Sequence, residues 1–195
     1  MKKVLGLALA TALAFGLSGC ASKDDLAKQF RAGDNKNYIA GDGSVTVYAK
    51  ADRPVGSDWT STTATGTKLA STELAGHVVV LNFWYAGCAP CRVETPDLQK
   101  LQDKYAAQGL KVVGVDVRDS AETALAFMRN RDISYPTVMD GESGDVIFAF
   151  TGIVNPSAVP TTIVIDRNGK VMARIFGRFV PSTLNTLVRQ ALEEK

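Results

Sequence analysis

The sequence predicts an α/β fold in which a central mixed β-sheet is flanked by helices on both faces. Val78–Trp84 is a nearly continuous apolar run rich in β-branched residues, which is typical of a strand buried on both faces of a parallel sheet. Segments with strand and helix patterns then alternate along the chain, an order that favours parallel strands joined by helices. Near the C-terminus, two apolar runs flank Arg167-Asn168-Gly169, a turn sequence that predicts an antiparallel hairpin.

The elements before the central strand are short. Val45–Tyr48 has the composition of a first strand. Arg53–Lys68 is rich in Ser, Thr, Gly and Asp and is predicted to be a loop, with Trp59 as its packing anchor. Lys68–Ala75 is predicted to hold a short strand or turn that leads into the central strand.

A helix is predicted to begin at or just after Cys88 and to end near Gly109. Pro90 suits its first turn, where a backbone N–H has no intrahelical partner, and Pro96 is expected to kink it. Glycine commonly ends a helix because it tolerates a left-handed conformation. The apolar residues with helical spacing, which are expected to face the core, are Val93, Leu98, Leu101 and Tyr105.

The second half of the chain continues the alternation in shorter segments. In order, these are a strand at Leu110–Val117, a helix capped by Asp119 or Ser120 and running through Asn130, an extended segment at Ile133–Met139, a short helix at Val146–Phe150, strands at Thr161–Asp166 and Lys170–Phe176, and a final helix from Pro181.

The first residues have the pattern of an export signal. Lys2 and Lys3 give a positive start, and Val4–Leu17 is apolar but shorter than the ~20 residues that span a bilayer. Leu17-Ser18-Gly19-Cys20, where the apolar run stops, resembles the lipobox of bacterial lipoproteins.

That resemblance implies cleavage before Cys20 and a lipid on its side chain, so that the protein is anchored to the extracytoplasmic face of the cell membrane. The predicted parts are then a signal peptide at 1–19, a flexible polar tether at 20–43 and a folded domain at 44–195. An uncleaved anchor, or a secreted protein with a free thiol, are the alternatives.

The charge balance argues against a nucleic-acid partner. The formal net charge is +2, and Lys2 and Lys3 supply all of it, so the rest of the chain is close to neutral. Three cysteines are too few for a scaffold held together by disulfides.

Cys88-Ala89-Pro90-Cys91 is the stretch that carries chemistry. The unpaired N–H groups and the dipole at a helix start favour a thiolate, which is the reactive form of cysteine. Two intervening residues let the sulfurs close a small disulfide. The motif therefore predicts a redox centre in which Cys88, on the more exposed N-terminal side, is the nucleophile and Cys91 points inward and resolves the mixed disulfide.

Other uses of two cysteines are a structural disulfide, half a zinc site and a haem attachment. Zinc would need two further N or S ligands, and beyond Cys20 the chain offers only His77. Haem attachment would need histidine where Arg92 stands. Redox chemistry without a metal or organic cofactor is the interpretation that these residues favour.

Several motifs together resemble the membrane-anchored thioredoxin-fold proteins of the TlpA/ResA type. Leu81–Trp84 followed by Cys-x-Pro-Cys resembles the family's central strand and active site, and Asp166–Lys170 resembles its late hairpin turn. Val159-Pro160-Thr161 resembles the loop that holds the family's cis-proline, and Glu94 stands where ResA-like proteins carry an acidic residue. The similarity runs from about Ser44 to the C-terminus. Gly87 departs from it, since relatives usually have an aromatic residue there.

The resemblance implies a thioredoxin-like fold, a thiol–disulfide oxidoreductase and a functional role for Glu94 and a cis Pro160. Spacing alone leaves Glu94 open between an acid or base for thiol exchange and a solvated carboxylate at a helix start. Asn82 lies in the buried strand and cannot titrate, so we expect it to have a structural or hydrogen-bonding role.

The implied partners are client proteins with disulfides or dithiols and a membrane redox protein that resets the cysteines. By resemblance the direction is reduction, for example of apocytochrome c cysteines, and the alternative is oxidation of exported proteins. A copper-binding chaperone, a redox-inactive scaffold and a peroxide-reducing enzyme are hypotheses from other classes.

Overall fold

The computed structural model describes residues 44–155 and 157–194. The predicted signal peptide, the tether and Cys20 lie outside these residues. Eight strands form within them: β1 (Val45–Val47), β2 (Thr60–Thr62), β3 (Lys68–Ala70), β4 (Val78–Trp84), β5 (Leu110–Asp116), β6 (Thr137–Met139), β7 (Thr161–Ile165) and β8 (Val171–Phe176).

Six of these strands form one mixed sheet with the order β1-β8-β7-β4-β5-β6. Strands β4, β5 and β6 are parallel, whereas β7, β8 and β1 add antiparallel pairings on the other side of β4. This is the predicted mixed sheet, with the Val78–Trp84 strand near its centre. All seven residues of that strand are buried.

Helices cover both faces of the sheet, as predicted. Side chains of β4 alternate between two buried clusters, because successive residues of a strand point to opposite faces. Val80 packs in the cluster that contains Leu98 and Leu184, and Leu81 packs in the cluster that contains Phe127 and Val146. The helices are α1 (Ala89–Tyr105), α2 (Ala121–Arg129), α3 (Asp145–Ala149) and α4 (Pro181–Glu193).

The start and end of α1 follow the predicted signals. The helix begins directly after Cys88, with Pro90 in its first turn. A short 3-10 turn at Ala106–Gln108 follows it and ends at Gly109, whose φ of 94° is left-handed.

Pro96 lies inside α1, which is continuous from Ala89 to Tyr105. A proline at this position removes the N–H that would bond to the carbonyl of Arg92. Nη1 of Arg131 donates to that carbonyl instead, at 2.8 Å. A side chain from outside the helix therefore replaces the bond that Pro96 removes.

Two predictions for individual residues are wrong. Val93 was expected to face the core, but it is 51% exposed, because the buried face of α1 follows Cys91, Glu94 and Leu98. Thr60–Thr62 was expected to lie in a loop, but it pairs with β3 in a separate two-stranded sheet. The residues of this strand are polar, so no apolar pattern predicts it. The strand forms because it pairs with β3.

The parallel strands set the position of the predicted site. Trp84, Asp116 and Met139, the last residues of β4, β5 and β6, are in register, so the three strands end at one edge of the sheet. Helix α1 and its cysteines begin just beyond this edge. None of the helices within residues 44–155 and 157–194 combines the length and apolarity needed to cross a bilayer.

Candidate active site

Cys88 and Cys91 lie at the N-terminal end of α1 and are joined by a disulfide, with an S–S distance of 2.01 Å. Cys88 is the N-cap residue, and its Sγ accepts the N–H of Cys91 at 3.3 Å. An N-cap acceptor satisfies a backbone donor that has no partner inside the helix. The fold thus brings together the two sulfurs that the sequence predicted to act as a pair.

The exposure predicted for Cys88 is wrong, since both cysteines have 0% relative exposure. The N–H of Cys88 donates to the carbonyl of Tyr85 at 3.1 Å, and this turn directs the N-cap residue toward the sheet. Cys88 then lies in the same buried cluster as Tyr85 and Val159. Burial disfavours a thiolate, so it opposes the effect of the helix N-terminus.

Glu94 lies one turn after Cys91 on the same buried face of α1, and is only 1% exposed. The amide Nδ2 of Asn82 donates to its Oε1 at 2.7 Å, and the N–H of Phe179 donates to its Oε2 at 3.4 Å. Nδ2 of Asn82 also donates to Oγ1 of Thr162. The alternative of a solvated carboxylate at the helix start is therefore wrong, and Asn82 has the hydrogen-bonding role expected of it.

Burial raises the pKa of Glu94 to about 8. The hydrogen bonds from Asn82 and Phe179 and the positive charge of Arg178 oppose this rise, and the charge of Asp97 adds to it. Glu94 therefore holds its proton up to mildly alkaline pH. A carboxyl group that changes charge in this range is suited to exchange protons with a nearby thiol.

The Val159–Pro160 peptide bond is cis, as the resemblance implied. Val159 is buried in the same large apolar cluster as the two cysteines. The carbonyl of Pro160 accepts the N–H of Gly177 at 2.8 Å. This connects the loop to the segment that follows β8.

The loop between β4 and Cys88 is shaped by the aromatic side chain of Tyr85. A Cβ atom added at Gly87 would lie 3.0 Å from Cε2 of Tyr85, which is tighter than normal contact. The ring of Tyr85 therefore packs against Gly87 and leaves little room for a side chain at that position.

Sequence reasoning did not identify the role of two acidic residues, of which Asp119 contacts this loop and Asp116 contacts the backbone of Asp119. Asp119 was considered only as a helix cap, but its carboxylate accepts the N–H of Ala86, while Ser120 caps α2. Asp116, at the end of β5, is fully buried. Their one signal in the sequence is their position at or just after the end of a strand that is parallel to β4. Within residues 44–155 and 157–194, no group of three or more His, Cys, Asp or Glu side chains is arranged to hold a metal ion.

Parts of this chain are similar to known proteins. Residues 55–174 match the AhpC/TSA family. The chain is 31% identical over 112 residues to the thiol-disulfide oxidoreductase ResA of Bacillus cereus. The aligned region covers 57% of this chain and 62% of that protein, which is less than two thirds of the relative's length.

Two solved structures share most of the fold. A secreted thiol-disulfide isomerase from Corynebacterium glutamicum has a TM-score of 0.70 and 28% identity, with 80% of this chain and 97% of that chain covered. A DsbF homologue from Corynebacterium diphtheriae has a TM-score of 0.68 and 28% identity, with 77% and 94% covered. The predicted thioredoxin-like α/β fold is thereby confirmed.

Proposed function

The chain belongs to the AhpC/TSA family, and we propose that it is an extracytoplasmic thiol–disulfide oxidoreductase that exchanges disulfides with exported proteins through Cys88 and Cys91. The observation that carries the proposal is the disulfide at the start of α1, with the N–H of Cys91 directed at Sγ of Cys88. The names of the similar proteins, which include thiol-disulfide oxidoreductase and thiol-disulfide isomerase, support the same chemistry.

In the reducing direction, the thiolate of Cys88 attacks one sulfur of a client disulfide. The client S–S bond breaks, a mixed disulfide forms, and the departing client thiolate takes up a proton. The deprotonated Cys91 then attacks Sγ of Cys88, which releases the second client thiolate and closes the Cys88–Cys91 disulfide. Two electrons pass from the protein to the client, and a membrane redox protein with a dithiol restores the reduced pair.

Glu94 is proposed to serve as the acid or base for this exchange. It lies one helical turn from Cys91, it is buried, and its pKa of about 8 lies close to that of an ordinary thiol. In this role its carboxylate accepts the proton of Cys91 before the resolving step and returns it when the pair is reduced again. The cis-Pro160 loop, whose Val159 belongs to the same buried cluster as the cysteines, is the proposed contact for the backbone of an extended client segment.

Reduction is the proposed direction, for example of apocytochrome c cysteines. Burial of both sulfurs destabilises thiolates, and a less stable reduced form makes a dithiol a stronger reductant. The alternative is an oxidant of exported proteins. It is favoured by the helix N-terminus and by the hydrogen bond to Sγ of Cys88, which stabilise the thiolate.

The reduction potential of the Cys88–Cys91 pair tests the function and its direction together. The protein would be equilibrated with graded ratios of reduced and oxidised dithiothreitol or glutathione, and the disulfide fraction measured by alkylation and mass. A reductant should titrate with two electrons at about −250 mV or below, whereas an oxidant would titrate near −120 mV. A Cys20→Ser background leaves only the proposed pair to titrate, and a pair that never reduces or reoxidises would refute the function.

Attachment to the membrane through a lipid on Cys20 remains part of the proposal. The lipobox-like Leu17–Cys20 and the polar segment at 20–43 support it. Expression of the full chain and of Cys20→Ser in a bacterial host, followed by membrane fractionation, tests it. The wild-type protein should sediment with membranes and the variant should not, and equal partition of the two would contradict the anchor.

A further inference from the structure

The turn that follows β5 contacts the loop that precedes the catalytic cysteine. Asp119 lies in this turn, and its Oδ2 accepts the N–H of Ala86, which is two residues before Cys88. Hydrogen bonds between a carboxylate and a backbone N–H are stronger than bonds between neutral groups. Asp119 therefore holds one end of the short segment that determines where Cys88 lies.

Two further groups hold the same segment. Nη1 of Arg92 donates to the carbonyl of Ala86 at 3.2 Å, so both backbone groups of Ala86 are bonded. The guanidinium group of Arg118 lies 4.8 Å from the centroid of the Tyr85 ring. The carbonyl of Tyr85 in turn accepts the N–H of Cys88. These contacts link the β5 turn directly to the position of the Cys88 backbone.

Asp116 stabilises the turn that contains Asp119. It is fully buried, and its Oδ1 accepts the N–H groups of Arg118 and Asp119 at 3.0 and 2.8 Å, which fixes the shape of the turn. Burial raises the pKa of Asp116 to about 7, the two N–H groups oppose the rise, and the adjacent Asp119 carboxyl adds to it.

We infer that Asp119, supported by Asp116, is a positioning residue for Cys88. It acts through the amide of Ala86 and the loop that ends at the nucleophile, and not on the sulfur itself. The inference rests on the proposed function, because it concerns the rate at which Cys88 exchanges with a client disulfide. A small displacement of a nucleophile is sufficient to slow such a reaction substantially.

The test compares three variants of the full-length chain. Asp119→Ala removes the acceptor for the N–H of Ala86, Asp119→Asn keeps an oxygen acceptor without the charge, and Ser120→Ala is the matched control. Ser120 lies in the same turn and caps α2 through the N–H of Thr123, so its loss weakens the turn without touching the loop. The reduced proteins would be mixed with a disulfide-bonded peptide, and the second-order rate constant measured below the unfolding temperature of every variant.

We expect Asp119→Ala to lower the rate constant on the order of tenfold, which corresponds to loss of one hydrogen bond. Asp119→Asn keeps a weaker, neutral acceptor and should recover a measurable part of the lost rate, whereas Ser120→Ala should leave the rate unchanged. A general loss of stability would not produce this rescue. If Asp119→Ala fails to fold, Asp119→Ser, whose side chain is too short to reach the loop, takes its place.

The outcomes distinguish the inference from the function. Wild-type protein without any exchange would overturn both. An active wild type with an equally active Asp119→Ala, a failure of asparagine to restore any part of the lost rate, or an equal loss in Ser120→Ala would overturn the positioning role and leave the proposed function intact.

Discussion

Asp166 and Glu94 are buried carboxyl groups at opposite ends of the central sheet. Asp166 follows β7, and its Oδ2 lies 2.8 Å from Nη1 of Arg53, whose guanidinium group also contacts Glu194. Glu94, beside the disulfide, is held by the amide of Asn82 and the N–H of Phe179. The carboxylate of Asp166 is paired with the cation of Arg53, whereas the carboxyl group of Glu94 is held by neutral donors.

This difference gives the two groups opposite pKa shifts. Burial alone would raise the pKa of Asp166, but the hydrogen bond and charge of Arg53 and the N–H groups of Asn168 and Lys170 outweigh burial and lower it. The neutral donors around Glu94 do not outweigh burial, so its pKa rises to about 8. A paired carboxylate stays charged and stabilises the fold, whereas an unpaired one titrates where thiols react.

The largest expected effect comes from removing the nucleophile at the site end of the sheet. Cys88→Ser and Cys91→Ser should each reduce the turnover of a disulfide substrate by at least about 10³-fold, because each step of the cycle needs its own sulfur. Turnover would be followed as peptide thiol released in the presence of dithiothreitol, with Cys20→Ser as the control. Substantial turnover in either variant would contradict the two-cysteine cycle.

Breaking the ion pair at the opposite end should affect stability and leave the redox chemistry unchanged. Arg53→Met leaves the buried Asp166 without its cation, and breaking such a pair typically costs about 3–5 kcal/mol. Urea unfolding measures this loss, and the reduction potential of the same variant is the second measurement. A shifted potential would show that the two ends of the sheet are coupled and not independent.

Removing the titratable carboxyl group of Glu94 at the site end should slow exchange while it preserves the fold. Glu94→Gln has nearly the same shape but cannot transfer a proton, and loss of general acid–base catalysis lowers rates on the order of 10²-fold. The rate of resolution by Cys91 should change with pH near 8 in the wild type and lose this dependence in the variant. A variant with the wild-type rate and pH profile would assign Glu94 a structural role only.

The last expected effect is gradual and appears as a pH dependence of stability. Because the pKa of Glu94 is raised in the fold, its contribution is fully present below the unfolded pKa near 4 and is lost as pH rises toward about 8. The loss is about 1.4 kcal/mol per pH unit within this range. The lowered pKa of Asp166 acts in the opposite sense, so its contribution is lost as pH falls.

Urea unfolding between pH 4 and pH 9 checks this prediction. As pH rises, the free energy of unfolding of the wild type should fall relative to that of Glu94→Gln. Asp116, which titrates near 7, is present in both proteins, so its contribution cancels when the two are compared. A difference that is constant over the whole range would contradict the raised pKa of Glu94.

The sequence predicted the parts of the molecule that local patterns determine. The apolar run of β4, the proline-containing start of α1, Gly109 and the hairpin turn at Arg167–Gly169 each specify an element through their own residues. The resemblance added the cis conformation of Pro160, which the structure has. It also predicts a functional role for Glu94, which spacing left undecided and which stays a prediction.

Features that depend on tertiary contacts could not be predicted from local sequence patterns. Cys88 is buried in a cluster whose members, such as Tyr85 and Val159, come from distant parts of the sequence. The ion pair of Arg53 joins a segment predicted as loop to the ends of β7 and α4. The contact of Asp119 with Ala86 exists only because β4 and β5 end at the same edge of the sheet.

The central claim is that Cys88 forms a covalent bond with a client and that Cys91 releases it. Trapping this mixed disulfide is the most direct test. The Cys20→Ser protein carrying either Cys91→Ser or Cys88→Ser would be reduced, freed of reductant and mixed with a disulfide-bonded peptide, and the adducts located by peptide mass mapping. We predict a stable adduct on Cys88 in the first variant and none on Cys91 in the second. An adduct that forms only on Cys91, or on neither residue, would contradict the account.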